Sequence, residues 1–429
     1  MQYSEQAQEN ALPKGVKDFL PARAAKIGFL TQTLQQVFAR WGFERIIPAS
    51  LEHLQVLERG LGEDLVNHTF RFDDRQSGRM VAITPDTTPQ IARIAATRMR
   101  ELPLPLRLSY TGRVLRHAEQ QAGKDREILQ AGVELIGLES LEADAEMIAM
   151  VVECFRAVGA TEFSVDLGQV EFFRGVLDSL ALDEKSAQRV TEAISRKDSS
   201  GLKDLLAELD IDEKVRTEVL ALPRLFGGVE ILERASATVS NERSRRALDS
   251  LFEVYEILKV YGVEEHVTFD LGELRGLDYH TGITLQGFLP GVGQAVCSGG
   301  RYDDLMACYG APAPATGFTF NVLQLLFALD RELDACVQRG SDVLISQSGQ
   351  DKLSAQKLAI ALRNRGYSVA RDMVERPRKA TLDYARKMHF RHVMWLNKDD
   401  SVELLQLKDG AQRNLKISEA LAESFCLDE

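Results

Sequence analysis

Strand-like patterning stops at about Val170 and resumes only at Val267, and the residues between are charged helical runs such as Ser200-Gly201-Leu202-Lys203-Asp204-Leu205-Leu206-Ala207-Glu208-Leu209. The chain therefore reads as an α+β sheet domain interrupted by a helical insertion over about 170–258. Before the insertion, Leu106–Arg116 and Glu127–Gly137 read as strands joined by a polar loop, His117 to Arg126. After it come Val267–Leu271, Ile283–Phe288 and, beyond a Leu289-Pro290-Gly291-Val292 turn, Gln294–Ser298 as the second arm of a hairpin. Ile27, Leu30, Leu34 and Phe38 recur at helical spacing over Ala24–Arg40, which Gly42 ends, and residues 140–157 carry a second amphipathic helix. Phe43–Leu51 reads as a strand whose Pro48 marks either an unpartnered edge or an interface.

After Asp330 a separate unit begins, giving a core over 1–330 and a small α/β domain over 339–429. Its expected strands are Val343–Ile345, Ser368–Arg371, Val393–Leu396 and Val402–Leu407, with helices at Lys352–Arg365 and Lys379–Met388 between the first three. This tail holds 16 basic against 13 acidic residues, whereas the whole chain of 429 residues has a net charge of −12. An acidic body argues against a broad grip on nucleic acid. Within the tail, Arg376, Arg378 and Lys379 form a local basic cluster that fits either an RNA contact or a solvated helix start.

The five cysteines are scattered without a CxxC pair, and the N-terminus lacks a charged-then-apolar signal pattern. A reduced, cytoplasmic protein without structural zinc is expected.

Chemistry concentrates in three segments. Gln130, Gly132 and Glu134 alternate on one strand and share a face. An acid and an amide flanking a glycine suit a ligand with an amino group and a hydrogen-bonding ring, or else a solvated strand edge. In Thr84-Pro85-Asp86-Thr87-Thr88-Pro89, Thr88 as N-cap and Pro89 as first helical residue explain much of the pattern, and Asp86 is the residue that capping explains least. Arg275-Gly276-Leu277-Asp278-Tyr279-His280-Thr281-Gly282 offers a guanidinium for a carboxylate and two rings for an imidazole; a surface arginine and a core tyrosine are the plainer readings of each alone.

That eight-residue motif, together with Ser298-Gly299-Gly300-Arg301-Tyr302-Asp303-Asp304 and Gly317-Phe318-Thr319-Phe320-Asn321-Val322-Leu323-Gln324, resembles the histidyl-tRNA synthetase family over about residues 10–330. The resemblance implies a class II synthetase-like antiparallel sheet flanked by helices, and a tail similar to the anticodon-binding domain. It implies a histidine pocket of Asp86, Thr87, Thr88, Arg116, Gln130, Glu134, Arg275, Tyr279 and His280. The nucleotide end departs from the pattern. Leu323 and Gln324 stand where the third motif has glutamate and arginine, and Ala118 and Glu119 replace the second-motif glutamate and arginine that follow Arg116. Losing one placed charge stabiliser typically slows such chemistry by about a hundred- to a thousandfold.

With these departures, and with Thr84 to Arg93 and Tyr279-His280-Thr281-Gly282, the chain looks like the regulatory subunits of ATP phosphoribosyltransferase, which are catalytically silent paralogues of the synthetase. Many such subunits have a reduced or divergent C-terminal region, so the tail is a departure. The resemblance implies no catalytic residue, cofactor or metal. It implies a short-form catalytic ATP phosphoribosyltransferase partner, histidine as ligand and a homodimer within a hetero-oligomer. An active histidyl-tRNA synthetase with an unusual nucleotide site is the competing expectation, and an RNA-binding module acting through the tail is a third.

Overall fold

A computed structural model describes residues 11–117, 125–180, 182–209, 211–272, 279–337, 340–347, 352–397 and 399–427. The chain divides into two compact units, 1–333 and 334–429.

The first unit is built on a nine-stranded sheet. Its order is Glu44–Arg45, Leu106–Leu115, Glu127–Ile136, Ala315–Asn321, Cys297–Arg301, Ile283–Phe288, Ser164–Gln169, Val267–Asp270 and Phe226–Gly227. Most neighbours are antiparallel. The pairs Glu44–Arg45 with Leu106–Leu115 and Ser164–Gln169 with Val267–Asp270 are parallel. Alternation along the strands sends Ala131, Val133, Leu135, Phe318, Phe320, Val165, Leu167 and Leu285 into one large core. There they meet the buried stripes of helices Pro21–Arg40 (Leu30, Leu34, Val37, Phe38), Leu141–Ala157 (Met147, Ile148, Val151, Phe155) and Glu242–Tyr261 (Leu248, Leu251, Val254, Leu258). On the polar face, helix Thr88–Arg98 packs Ile91, Ala92 and Ala95 with Leu108, Tyr110 and Tyr302.

The helical insertion is present as helices that include Val170–Asp178, Ser199–Ala207, Glu213–Ala221, Glu230–Thr238 and Glu242–Tyr261, and it also supplies the edge strand Phe226–Gly227. Two expected strands differ. In Phe43–Leu51 only Glu44–Arg45 joins the large sheet. Leu51–His53 belongs instead to a three-stranded sheet with Arg71–Asp73 and Met80–Ile83, and Pro48 lies between the two, where the chain changes sheets. The hairpin arm expected at Gln294–Ser298 runs over Cys297–Arg301, pairing Cys297 with Gly287 and Gly300 with Thr284. Gly299 and Gly300 sit inside this strand because side chains would not fit. A Cβ on Gly299 would lie 2.2 Å from the Gly317 carbonyl, and one on Gly300 would lie 2.5 Å from the Ile283 carbonyl.

The second unit carries a five-stranded sheet ordered Val369–Arg371, Val343–Gln347, His392–Leu396, Ser401–Gln406 and Gln412–Lys416, parallel in its first two pairings and antiparallel after. Sequence patterning missed Gln412–Lys416, where exposed and half-buried positions alternate without strong apolar residues. The tail's basic cluster is largely engaged within the unit. Arg376 pairs with Asp372 and lies 4.4 Å from the Tyr384 ring centroid. Arg378 donates to Glu403 Oε2 at 2.7 Å and lies 4.2 Å from the Trp395 centroid. Arg378→Ala is expected to lower the stability of this unit by about 0.5–1 kcal/mol, read by urea unfolding at Trp395, and to leave tRNA retention in a gel shift unchanged. No helix among the described residues is long and apolar enough to cross a membrane.

Candidate functional site

Three strands and one helix start meet at Glu134. Register places Gly132 between Tyr110 and Thr319, and Glu134 opposite Gly317. A Cβ on Gly317 would fall 2.0 Å from Glu134 Oε2, so that glycine makes room for the carboxylate. The space expected beside Gly132 is filled: a Cβ there would lie 2.7 Å from the Tyr110 hydroxyl.

Glu134 is 1% exposed. Its Oε1 accepts from Thr88 Oγ1 at 2.7 Å and from the Tyr110 hydroxyl at 3.2 Å, and its Oε2 accepts from the Tyr302 hydroxyl. Burial pushes the carboxyl up to about 8, against the hydroxyls that favour its anion. Burial thus shifts the balance toward the neutral acid, in which one of these hydroxyls accepts from the carboxyl rather than donating to it.

Around it lies an amide and acid relay. Gln130 Nε2 donates to Asp86 Oδ1 at 2.9 Å, while Gln130 Oε1 accepts from Thr87 Oγ1 at 2.7 Å and from the Thr87 amide at 3.1 Å. Asp86 Oδ1 also accepts from the Thr87 amide at 2.8 Å. Helix Thr88–Arg98 takes Thr87, not Thr88, as its N-cap, and neither side chain caps it. The expectation of Thr88 as a cap is corrected because its hydroxyl is spent on Glu134. Arg116 donates from Nε to the Pro85 carbonyl at 2.8 Å and its Nη2 lies 3.9 Å from Asp86 Oδ2, a loose pair that leaves the guanidinium tips near the acid.

Tyr279 packs 5.4 Å from the Tyr302 ring and 5.1 Å edge-on to His280. Among the described residues its buried hydroxyl has no hydrogen-bond partner, a cost that a ligand atom would relieve. His280 Nδ1 lies 3.2 Å from the Arg301 carbonyl, which can only accept, so Nδ1 carries the proton. Burial lowers the ring to about 4 and keeps it neutral. Arg301 itself is a brace. It donates to Asp144 Oδ2 at 2.9 Å, Asp303 Oδ1 at 3.1 Å and the carbonyls of Leu138 and Ser140.

Of the expected pocket, Asp86, Thr87 and Gln130 form one bonded set, joined to Arg116 through Asp86, and Thr88 and Glu134 form a second that meets it along the chain at Thr87–Thr88; Tyr279 and His280 pack beside Glu134 through Tyr302. Arg275, Ala118 and Glu119 lie outside the described residues. Tyr110 and Tyr302 were not among the expected pocket residues, yet both bond Glu134. A tyrosine facing a glycine across adjacent strands was the available signal for Tyr110.

The nucleotide end is built from amides. Asn321 Oδ1 accepts from the Leu323 and Gln324 amides at 3.2 and 3.3 Å, starting helix Val322–Ala328, and Gln324 Oε1 is buried without a partner among the described residues. Position 324 thus offers a neutral amide where phosphate stabilisation calls for a cation.

A family model described as Histidyl-tRNA synthetase matches residues 15–325. A protein of Syntrophotalea carbinolica named ATP phosphoribosyltransferase regulatory subunit is 60% identical over 420 residues, covering 98% of each chain. One of the same name from Geobacter sulfurreducens is 51% identical over 424 residues, covering 98% of this chain and 97% of its own. A crystal structure from Bacillus halodurans C, described as an ATP phosphoribosyltransferase regulatory subunit/histidyl-tRNA synthetase, aligns with a TM-score of 0.80 at 28% identity, covering 90% of this chain and 98% of that one. A synthetase-type sheet with an amide in place of the third-motif cation now has its explanation: the chain belongs to the ATP phosphoribosyltransferase regulatory subunit family.

Proposed function

We propose that this chain is a histidine-sensing, non-catalytic regulatory subunit that activates a short-form catalytic ATP phosphoribosyltransferase in the cytoplasm and lets histidine restrain the first step of histidine biosynthesis. The observation that carries the sensing role is the buried Glu134 cluster with the Tyr279 hydroxyl beside it, which has no hydrogen-bond partner among the described residues. Asp86 suits the ligand's amino group, and Glu134 with Tyr279 suits its ring. Arg116 is the nearest described cation to Asp86 and suits the carboxylate.

Feedback requires that histidine bind the restrained and active assemblies with unequal affinity. The chain acts as a homodimer within a larger hetero-oligomer. Ile47 and Leu51, exposed beside the edge strand Glu44–Arg45, support an apolar contact there.

Calorimetry with histidine, run beside exchange of labelled pyrophosphate into ATP, tests this reading. Binding without exchange is expected, followed by activation when the chain is titrated into a short-form catalytic subunit. Robust exchange would instead make the chain a working synthetase.

A further inference from the structure

The turn Glu264–His266 carries the chain from helix Glu242–Tyr261 into strand Val267–Asp270. Its imidazole stacks on the Phe163 ring at 4.2 Å and 17°, and Phe163 stacks in turn on Phe155 of helix Leu141–Ala157 at 4.8 Å and 22°. The stack fixes the plane of the imidazole. His266 Nε2 then lies 3.0 Å from Nη2 of Arg156, in the last turn of the same helix. A guanidinium can only donate, so Nε2 is the accepting, unprotonated nitrogen.

A carboxylate stands close to both groups. Glu265 Oε1 lies 3.4 Å from the same Nε2 and 3.7 Å from Arg156 Nη2. Arg156 on the helix and Glu265 on the turn are the charged groups acting on the ring among the described residues, and Phe163 adds a backbone hydrogen bond. Burial and Arg156 hold the imidazole below its ordinary 6.5, against Glu265 and that bond. A proton on Nε2 would point at a cation 3.0 Å away. The stacked ring is 19% exposed, whereas Arg156 and Glu265 are 48% and 73% exposed, so the two long side chains are what moves.

We propose that Arg156, His266 and Glu265 form a proton-operated switch, in which protonation passes His266 Nε2 from Arg156 to Glu265 and frees the side chain that ties the end of helix Leu141–Ala157 to the turn entering strand Val267–Asp270. The step takes up one solvent proton on Nε2 and breaks no covalent bond.

Nuclear magnetic resonance of the full chain, labelled at histidine ring and arginine side-chain nitrogens, tests this. Near neutral pH the expected result is a neutral ring protonated on Nδ1 and guanidinium protons of Arg156 protected from exchange. As pH falls below the ordinary 6.5, that protection should be lost in step with the imidazole titration. His266→Gln, whose oxygen can accept from Arg156 without titrating, should keep the protection throughout. Arg156→Gln should raise the imidazole midpoint and Glu265→Gln should lower it, because each removes one of the two charges facing the ring. A merely structural role would leave Arg156 exchange indifferent to the ring's charge. A ring protonated on Nε2 near neutral pH, Arg156 exchange that does not follow the titration, or a midpoint unmoved by both substitutions would each overturn the switch.

Discussion

Glu134→Ala is expected to weaken histidine binding at least about a hundredfold in calorimetry near pH 7. Removing one partner so that a buried polar group is left unsatisfied costs roughly 1–3 kcal/mol for each such group. Here the groups left behind are the hydroxyls of Thr88, Tyr110 and Tyr302 as well as the ligand ring. Glu134→Gln isolates the proton. Burial holds the carboxyl at about 8 rather than the ordinary 4.5, so the native state keeps a proton that an unfolded chain releases. The stability contributed by this group is complete below the ordinary value and is lost as pH rises through about 8. Over that window the unliganded wild type should lose on the order of a few kcal/mol, and Glu134→Gln, which cannot titrate, should melt with a flatter pH dependence. Parallel melting curves for the two proteins would show that Glu134 is not the titrating group.

What the sequence made legible follows from the range of the interactions. Helices Pro21–Arg40 and Leu141–Ala157, and strands Leu106–Leu115 and Glu127–Ile136, matched expectation within a few residues, because periodicity and breakers such as Gly42 are local signals. Gln130 and Glu134 were legible as a shared face for the same reason. What stayed hidden depended on register between distant strands. Gly317 reads as part of a motif, but its need for no side chain comes from Glu134 across the ladder. Tyr110 and Tyr302 carry no local mark of their bonds to Glu134. The hairpin strand was expected to stop at Ser298, whereas it runs on through Gly299 and Gly300, glycines that here mark close backbones. Thr88 looked like a cap until Glu134 was placed beside it.

Arg301→Leu is expected to destabilise the first unit by about 3–5 kcal/mol. The guanidinium is buried and spends its donors on Asp144, Asp303 and two carbonyls, joining strand Cys297–Arg301 to the start of helix Leu141–Ala157. Removing it leaves Asp144 buried without its cation. Burial already raises that carboxyl's pKa even with Arg301 in place, so the lone acid should take up a proton and the variant should unfold most readily at high pH. Urea unfolding followed at Trp41 in a Trp395→Phe background reads this unit alone, since the chain has two tryptophans. Adding Asp144→Leu should recover most of the loss, because an apolar pair of similar bulk is often as stable as a buried ion pair. Histidine affinity should not recover with it, since the Arg301 carbonyl holds both the Thr281 amide at 2.8 Å and His280 Nδ1, and the seat of that backbone helps to fix the turn that presents Tyr279. A loss below about 1 kcal/mol in the single variant would mean that solvent screens the pair and that the brace lies elsewhere.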